Sequence, residues 1–213
     1  MWKTHKKTVI LTFIITLLPM IVGIVLWDRL PEMMATHWGM DNDPNGWMSK
    51  PMAVFGLPLI CAALLALCVF ATDKDKRSGN ITAKAKTLVL WVIPLITWLC
   101  SAVTYGYALE WEMNIGLIVC VLLGVIFIVL GNQMPRQMQN RTFGIRTKLT
   151  LSDEDVWRAS HRFGGWVFTI GGLVIIVTAF LSWWWMALVV FLIIAVLSLA
   201  YPRWYYNKRE KNK

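Results

Sequence analysis

The stretch PMAVFGLPLICAALLALCVFA, residues 51–71, decides the fold, because its 21 residues contain no charge. A helix needs about 20 apolar residues to cross the hydrocarbon core of a bilayer, and lipid offers no partner to an unpaired backbone group. Five further stretches have the same character: residues 9–27, 88–109, 114–130, 164–181 and 184–201. The pattern therefore predicts an all-α polytopic membrane protein with six transmembrane helices.

The composition of the 213-residue chain excludes a water-soluble domain. Hydrophobic residues make up 57% of the chain and charged residues 15%, with a mean hydropathy of +0.57, which is too apolar for a soluble fold. None of the charged residues lies inside the six stretches. The first stretch exceeds the apolar region of a cleaved signal peptide, which spans about 7 to 15 residues, so we predict that it is retained as the first helix.

The residue inventory predicts neither a metal site nor a catalytic centre. The four cysteines all lie within predicted helices, at spacings that suit helix packing better than zinc ligation: Cys61, Cys68, Cys100 and Cys120. The loops contain no nucleophile with a base, no carboxylate pair at a catalytic spacing and no glycine-rich phosphate-binding loop. We therefore predict that the protein is not an enzyme and holds no cofactor and no metal.

The charges between the predicted helices set their orientation. The chain carries 21 Lys and Arg against 12 Asp and Glu, a net charge of +9. Counted over alternate connecting segments, 19 of the basic residues fall on one side of the membrane and 2 on the other. Because basic loops stay in the cytoplasm, both termini are predicted to be cytoplasmic and the loop 28–50 extracellular. This asymmetry accounts for the basic charge, so no direct binding of nucleic acid is predicted.

The extracellular loop 28–50 is the first of two connections long enough to carry a function. Its Pro44-Asn45-Gly46 run predicts a turn, since proline presets its own dihedral angle while asparagine and glycine tolerate positive φ. We therefore expect a folded, hairpin-like cap. His37 either hydrogen-bonds this loop together or takes part in binding. Acidic residues outnumber basic ones in the loop, which suits a cationic ligand and equally a solvated surface.

The second long connection, residues 131–163, is predicted to be cytoplasmic. Gly131 is predicted to cap the end of the fourth helix. Ser152, followed by three acidic residues, is a helix N-cap signal. Trp157 and His161 then share one helical face, which predicts a short amphipathic helix at the interface, leading into the fifth span.

Arginines in and after this connection allow two interpretations. They either anchor the chain on anionic lipid or dock a cytoplasmic partner. They are Arg136, Arg141, Arg146, Arg158 and Arg162.

The two loops together carry a family resemblance. The outer run contains Leu30-Pro31, His37-Trp38, Pro44-Asn45-Gly46-Trp47 and Ser49-Lys50-Pro51. The inner run contains Gly131-Asn132, Met134-Pro135, Asn140, Gly144-Ile145-Arg146-Thr147, Thr150-Leu151, Trp157, His161-Arg162 and Gly164. In order and spacing, these runs resemble the SdpI family of membrane proteins, many of which open with a domain of unknown function. The resemblance spans residues 30–164.

The resemblance implies both an organisation and a function. It implies two parts, residues 1–71 and residues 72–213, in a multi-pass protein of the bacterial cell membrane. It implies immunity to a secreted peptide toxin, together with signalling by holding a transcriptional repressor at the membrane. Toxin-contact candidates are then Pro31, His37, Trp38, Asp41, Asp43, Gly46, Trp47 and Lys50. The cytoplasmic motif is then Asn132, Pro135, Asn140, Gly144, Arg146, Thr147, Thr150, Trp157, His161, Arg162 and Gly164.

One departure from the family pattern bears on specificity. The family's Arg-Thr-Pro-Trp-Thr is here Arg146-Thr147-Lys148-Leu149-Thr150, which lacks the rigid proline and the aromatic residue. This change affects toxin specificity and repressor docking more than it affects the fold. Two alternatives to immunity stay open: a membrane receptor without an immunity role, and a transporter of a small molecule or lipid. The charge-free helices disfavour ion-coupled transport.

Overall fold

The computed structural model describes residues 1–39 and 41–212. Among these residues, six helices are long and apolar enough to cross a membrane, which confirms the predicted fold class. In chain order the helices are α1 Trp2–Val25, α2 Leu57–Lys74, α3 Ala83–Ala108, α4 Ile115–Gln133, α5 Lys148–Ser152, α6 Glu154–Phe180 and α7 Trp185–Lys211. Only α5 is too short to span a bilayer. The side of the membrane on which the termini lie remains a prediction.

One compact unit consists of Met1–Asp73 and Lys86–Ile115. It contains α1, α2, most of α3 and a two-stranded sheet. Its buried apolar residues form two clusters. The cluster near the start of α1 contains Met1, Val9, Leu65, Val69 and Leu90. The cluster beside the sheet contains Leu30, Met34, Ala53, Val54 and Tyr105.

A proline inside α1 ties this helix to α3. Pro19 has no N–H, so the carbonyl of Ile15 loses its helical donor. The indole Nε1 of Trp98 donates a hydrogen bond to that carbonyl over 2.9 Å. The hydroxyl of Tyr105 donates to the carbonyl of Pro19 itself over 3.1 Å. Two side chains of α3 therefore bind the stretch of α1 that the proline interrupts.

The loop between α1 and α2 is a β-hairpin, as predicted, but its turn lies elsewhere than expected. Strand β1, Met33–Trp38, pairs antiparallel with β2, Pro44–Ser49. The predicted turn at Pro44-Asn45-Gly46 is therefore wrong, because these residues begin β2. The chain reverses just before them, where Asn42 takes the left-handed conformation with φ of 68°, which asparagine tolerates.

The second compact unit consists of Lys74–Ala85 and Gly116–Lys213. Its helices α4 and α6 approach closely through glycines. A Cβ atom added at Gly131 would lie 2.7 Å from the carbonyl oxygen of Gly165. The prediction that Gly131 caps α4 is wrong, since α4 continues to Gln133. Gly131 serves the contact between two helices rather than a left-handed helix end.

The start of α6 also differs from expectation. Asp153, not Ser152, is the N-cap, and its carboxylate accepts from the N–H groups of Asp155 and Val156 over 2.9 and 3.1 Å. The helix then runs unbroken to Phe180. The predicted amphipathic segment is therefore the first three turns of α6 rather than a helix of its own. Other parts of the protein cover the apolar face of this segment, so the segment does not lie along the membrane interface as a separate helix.

Candidate functional site

The base of the hairpin is held by a buried lysine. Lys50 is only 5% exposed, and its ammonium group lies 2.9 Å from the carboxylate of Glu32. The ammonium also donates to the carbonyl of Trp27 over 3.3 Å and sits 5.2 Å from the centre of that indole ring. A buried cation needs such compensation. Lys50 therefore fixes the hairpin instead of facing outward from it.

A second contact crosses the middle of the hairpin. Nδ1 of His37 hydrogen-bonds the side-chain oxygen of Asn45 on the facing strand. His37 lies opposite Gly46 in the register, and a Cβ atom at Gly46 would approach the Cβ of His37 to 2.8 Å. The neighbouring Trp38 packs edge-on against Tyr107 with ring centres 5.8 Å apart. His37, Trp38 and Gly46 thus shape the hairpin.

An open groove of about 530 Å³ lies between the hairpin and the residues at the end of α3. Its lining combines apolar and aromatic residues with one carboxylate: Pro31, Met33, Met34, Ala35, Trp47, Tyr107, Ala108, Glu110 and Trp111. The side chains of Trp47 and Trp111 are 50% and 61% exposed. Asp41 and Asp43 are exposed in the nearby turn. The groove therefore combines two exposed tryptophans with the carboxylate of Glu110.

The structure divides the eight toxin-contact candidates into three sets. Pro31 and Trp47 line the groove, and Asp41 and Asp43 form the turn. The other four residues hold the hairpin together. Glu110 and Trp111, which follow α3, also line the groove but were not predicted as site residues. The sequence feature that could have indicated them is a tryptophan between two acids, in a connection predicted to lie on the same side of the membrane as the hairpin.

The inner motif centres on a buried asparagine. Asn140 has no exposed surface. Its side-chain oxygen accepts from the N–H groups of Thr142 and Phe143 over 3.0 and 2.7 Å, and its amide nitrogen donates to the carbonyl of Met138 over 2.9 Å. These three bonds satisfy backbone groups that have no helix or sheet to join. Asn140 therefore fixes the conformation of residues 138–143.

Asp75, between α2 and α3, holds the same loop from outside. Its carboxylate accepts from the N–H groups of Arg77 and Arg141 and from the hydroxyl of Thr142, over 2.7 to 2.9 Å. Burial disfavours the charged carboxylate, but these hydrogen bonds outweigh the burial, so the pKa of Asp75 lies below its ordinary value. Asp75 was not predicted as a site residue. Its partner Arg141 is 66 positions away, and no local sequence pattern indicates such a contact.

Trp157 and His161 form the buried core of the motif. Their rings stack with centres 3.9 Å apart, and Trp157 donates from Nε1 to the carbonyl of Gln137 over 2.8 Å. His161 Nε2 lies 3.1 Å from the N–H of Ile145, and Nδ1 lies 2.9 Å from the carbonyl of Trp157. An N–H can only donate and a carbonyl can only accept, so the proton resides on Nδ1 and the imidazole is neutral.

Other motif residues pack closely around the Trp157–His161 pair. Gly144 has a φ of 105°, and a Cβ atom there would collide with the ring of His161. A Cβ atom at Gly164 would approach the side chain of Ile145 to 2.6 Å. Thr147 and Thr150 form a reciprocal capping box at the start of α5, in which each side chain hydrogen-bonds the backbone N–H of the other residue. The structure therefore brings these motif residues together with Asn140, Trp157 and His161.

Four predicted motif residues lie outside this core. Asn132, Pro135 and Arg162 are exposed. Arg146 is also exposed, and its guanidinium donates to the carbonyl of Arg141 over 2.7 Å. Arg146 therefore lies on the surface of the loop, and Arg162 lies on the surface of α6.

An ion pair joins the start of α6 to the end of α7. The carboxylate of Asp153 accepts from both terminal nitrogens of Arg209. Hydrogen bonding by Arg209 lowers the pKa of Asp153 to about 2, with the capped N–H groups of α6 contributing. The same carboxylate therefore caps one helix and anchors another.

Comparisons with known proteins identify the family of the chain. Residues 14–62 match the family model of a domain of unknown function (DUF1648), and residues 137–201 match the SdpI/YfhL protein family. The immunity protein SdpI of Bacillus subtilis (strain 168) is 30% identical over 210 residues, which cover 96% of this chain and 97% of that protein. No solved structure matches the chain.

The six membrane-length helices and this homology make the chain a multi-pass bacterial membrane protein. The chain belongs to the SdpI family, as the sequence resemblance implied.

Proposed function

We propose that the protein confers immunity by antagonising a secreted, cationic and amphipathic peptide toxin at the groove beside the hairpin. The observation that carries this proposal is a groove in which Glu110 lies among the exposed side chains of Trp47 and Trp111, on a hairpin whose turn carries the exposed acids Asp41 and Asp43. The name of the Bacillus subtilis relative supports the immunity role.

The chemistry of the groove suits such a peptide. Tryptophan faces offer large apolar contact areas and also attract cations, so one surface receives both sides of an amphipathic peptide. The acids increase the rate of encounter with a basic peptide by electrostatic steering. Because Lys50 and the His37–Asn45 contact hold the hairpin, little ordering is needed on binding. A pre-formed surface loses less conformational entropy.

A toxin challenge tests the proposal. A sensitive host that lacks the protein is exposed to the peptide toxin against which the Bacillus subtilis relative protects, with and without expression of the chain. We expect the wild-type chain to restore growth. We expect Trp47→Ala to lower the tolerated toxin concentration about tenfold or more, because truncated aromatic anchors typically cost 2 kcal/mol or more, roughly a thirtyfold change in affinity.

Trp166→Ala is the matched control. Trp166 is a 71% exposed tryptophan of α6, far in sequence from the groove, so its removal should leave protection unchanged. Equal expression of all variants in the membrane is checked by immunoblotting. Full protection by the Trp47→Ala variant, or no protection by the wild-type chain, would contradict the proposal. Flux of small molecules or lipid in liposomes would instead favour a transporter.

A second proposed role is the docking of a transcriptional repressor on the inner loop. The exposed side chains of Arg136, Arg141 and Arg146 form no salt bridge among the described residues, and they project from a loop that Asn140 and Asp75 hold in place. Such fixed arginines suit an acidic partner surface. Arg141→Gln should release a bound repressor from the membrane fraction. A repressor that stays cytosolic in wild-type cells would refute this role.

A further inference from the structure

The second unit contains a cavity whose apolar walls neither proposed role uses, although Arg146 of the proposed docking surface lies at its edge. It measures about 550 Å³ and lies among α4, α6, α7 and residues 142–147 of the inner loop. Four phenylalanines line it: Phe127, Phe168 and Phe191 from the helices and Phe143 from the inner loop. On α7 the lining residues recur at positions 191, 194, 195, 198 and 199, which is one helical face over about 12 Å. The cavity is therefore an apolar slot that runs along the helices.

Polar groups occur toward one end of this slot. Arg209 of α7 pairs with Asp153 beside the inner loop, so the C-terminal half of α7 lies at the loop end. Ser198 is consequently nearer the loop than Phe191 is. The hydroxyl of Ser198 is buried and has no hydrogen-bond partner among the described residues. Arg146 lines the loop end of the slot and has no carboxylate partner in the described part of the chain.

We propose that this slot binds an anionic phospholipid of the leaflet that the inner loop faces. One acyl chain fills the apolar slot along Phe127, Phe168 and Phe191. The hydroxyl of Ser198 donates to an ester carbonyl of the lipid, and the guanidinium of Arg146 binds its phosphate group. This order of groups, with cation, hydroxyl and then hydrocarbon wall, matches the order of phosphate, ester and acyl chain in a phospholipid.

Two observations favour a lipid over other occupants. The slot lies along helices that cross the membrane, so its nearest apolar molecules are acyl chains, and its apolar wall offers little to a water-soluble metabolite. Arg146 supplies a charge complementary to a phosphate, and basic pockets between membrane helices on this side commonly bind lipid headgroups. The site is separate from the hairpin groove, so it stands whether or not the immunity proposal holds.

Lipid titration of the purified, delipidated full chain tests the proposal. Native mass spectrometry compares phosphatidylglycerol with phosphatidylcholine of the same acyl chains. We expect phosphatidylglycerol to bind the wild-type chain about tenfold more tightly, because the phosphate of phosphatidylcholine is neutralised by a trimethylammonium group that the guanidinium of Arg146 repels. The Arg146→Gln variant should lose this preference. The Ala195→Phe variant, which fills the slot, should weaken binding of both lipids at least tenfold.

Two control variants distinguish specific lipid binding in the slot from nonspecific attraction of anionic lipid to basic surface residues. Arg136→Gln removes another exposed arginine, and Ala200→Phe adds a ring to an exposed face of α7; neither residue lines the slot, so both variants should bind like the wild type. Because Arg146 is exposed, its result stands even if Ala195→Phe fails to fold. An unchanged lipid preference in Arg146→Gln, an equal loss in Arg136→Gln, or displacement of the lipid by inorganic phosphate would overturn the proposal.

Discussion

Gly144 shows how tightly single residues of the inner motif are fitted. It combines a positive φ with direct contact to the ring of His161, which itself binds the backbone of Ile145. A side chain here meets two obstacles at once, because the left-handed conformation disfavours a Cβ atom and the imidazole occupies its place. Moving the ring would leave the N–H of Ile145 without its acceptor.

We therefore expect Gly144→Ala to lower the free energy of unfolding by about 1 to 3 kcal/mol. The measurement is thermal unfolding of the detergent-purified protein, with its unfolding temperature compared to the wild type.

Gly79→Ala serves as the control for Gly144→Ala. A Cβ atom at Gly79 meets nothing within 4 Å, and this glycine has no positive φ. Its substitution should change stability by less than about 0.5 kcal/mol. Equal effects of the two substitutions would mean that the contact with His161 does not determine the loop.

Asp153 both caps helix α6 and pairs with Arg209 of α7, and two substitutions can separate these contributions to stability. Asparagine still caps a helix but cannot form the ion pair with Arg209, whereas alanine can do neither. We expect Asp153→Asn to cost about 0.5 to 1 kcal/mol, since the pair is partly exposed. Asp153→Ala should cost about 1 kcal/mol more. Thermal unfolding in detergent measures both. Equal costs would show that the cap contributes nothing.

The ion pair also makes a prediction about pH. The pKa of Asp153 falls from 3.8 to about 2 on folding, so the folded state favours the charged carboxylate. Its stabilisation is complete above about pH 4 and disappears as the pH falls through 2. The unfolding temperatures of the wild type and Asp153→Asn should therefore differ at neutral pH and converge near pH 2. A difference that persists at pH 2 would contradict the assignment.

At the scale of the whole molecule, the orientation in the membrane decides which partners each loop meets. The positive-inside rule predicts the hairpin outside and the motif loop inside. Lys50 is a poor site for labelling because it is buried, whereas Asp43 and Arg136 are exposed. We expect a membrane-impermeant maleimide to label the Asp43→Cys variant in intact cells. The Arg136→Cys variant should be labelled only after permeabilisation.

The wild-type chain controls for background labelling, since its four cysteines lie within the membrane-length helices. Labelling of both variants in intact cells would place the two loops in one compartment. The docking proposal would then fail, because the inner loop would face the outside. Failure of the Asp43→Cys variant to be labelled in intact cells would instead contradict the immunity proposal, because the hairpin would not face the outside.

The sequence by itself determined the six helices and the existence of the hairpin. Both follow from local physics: a run of apolar residues has one stable backbone state in lipid, and turn-forming residues between short strands favour reversal. The family motifs also marked the residues around His161 before any contact was known.

The roles of those residues depend on how the segments pack. Gly131 lies in a contact between two helices rather than at a helix end, and Lys50 is a buried anchor rather than an exposed charge. Asp75 has no local sequence signal, because its partners Arg141 and Thr142 are distant in sequence. Burial and long-range hydrogen bonds depend on which distant segments of the chain pack together. The local spacing of residues in the sequence does not directly indicate that packing.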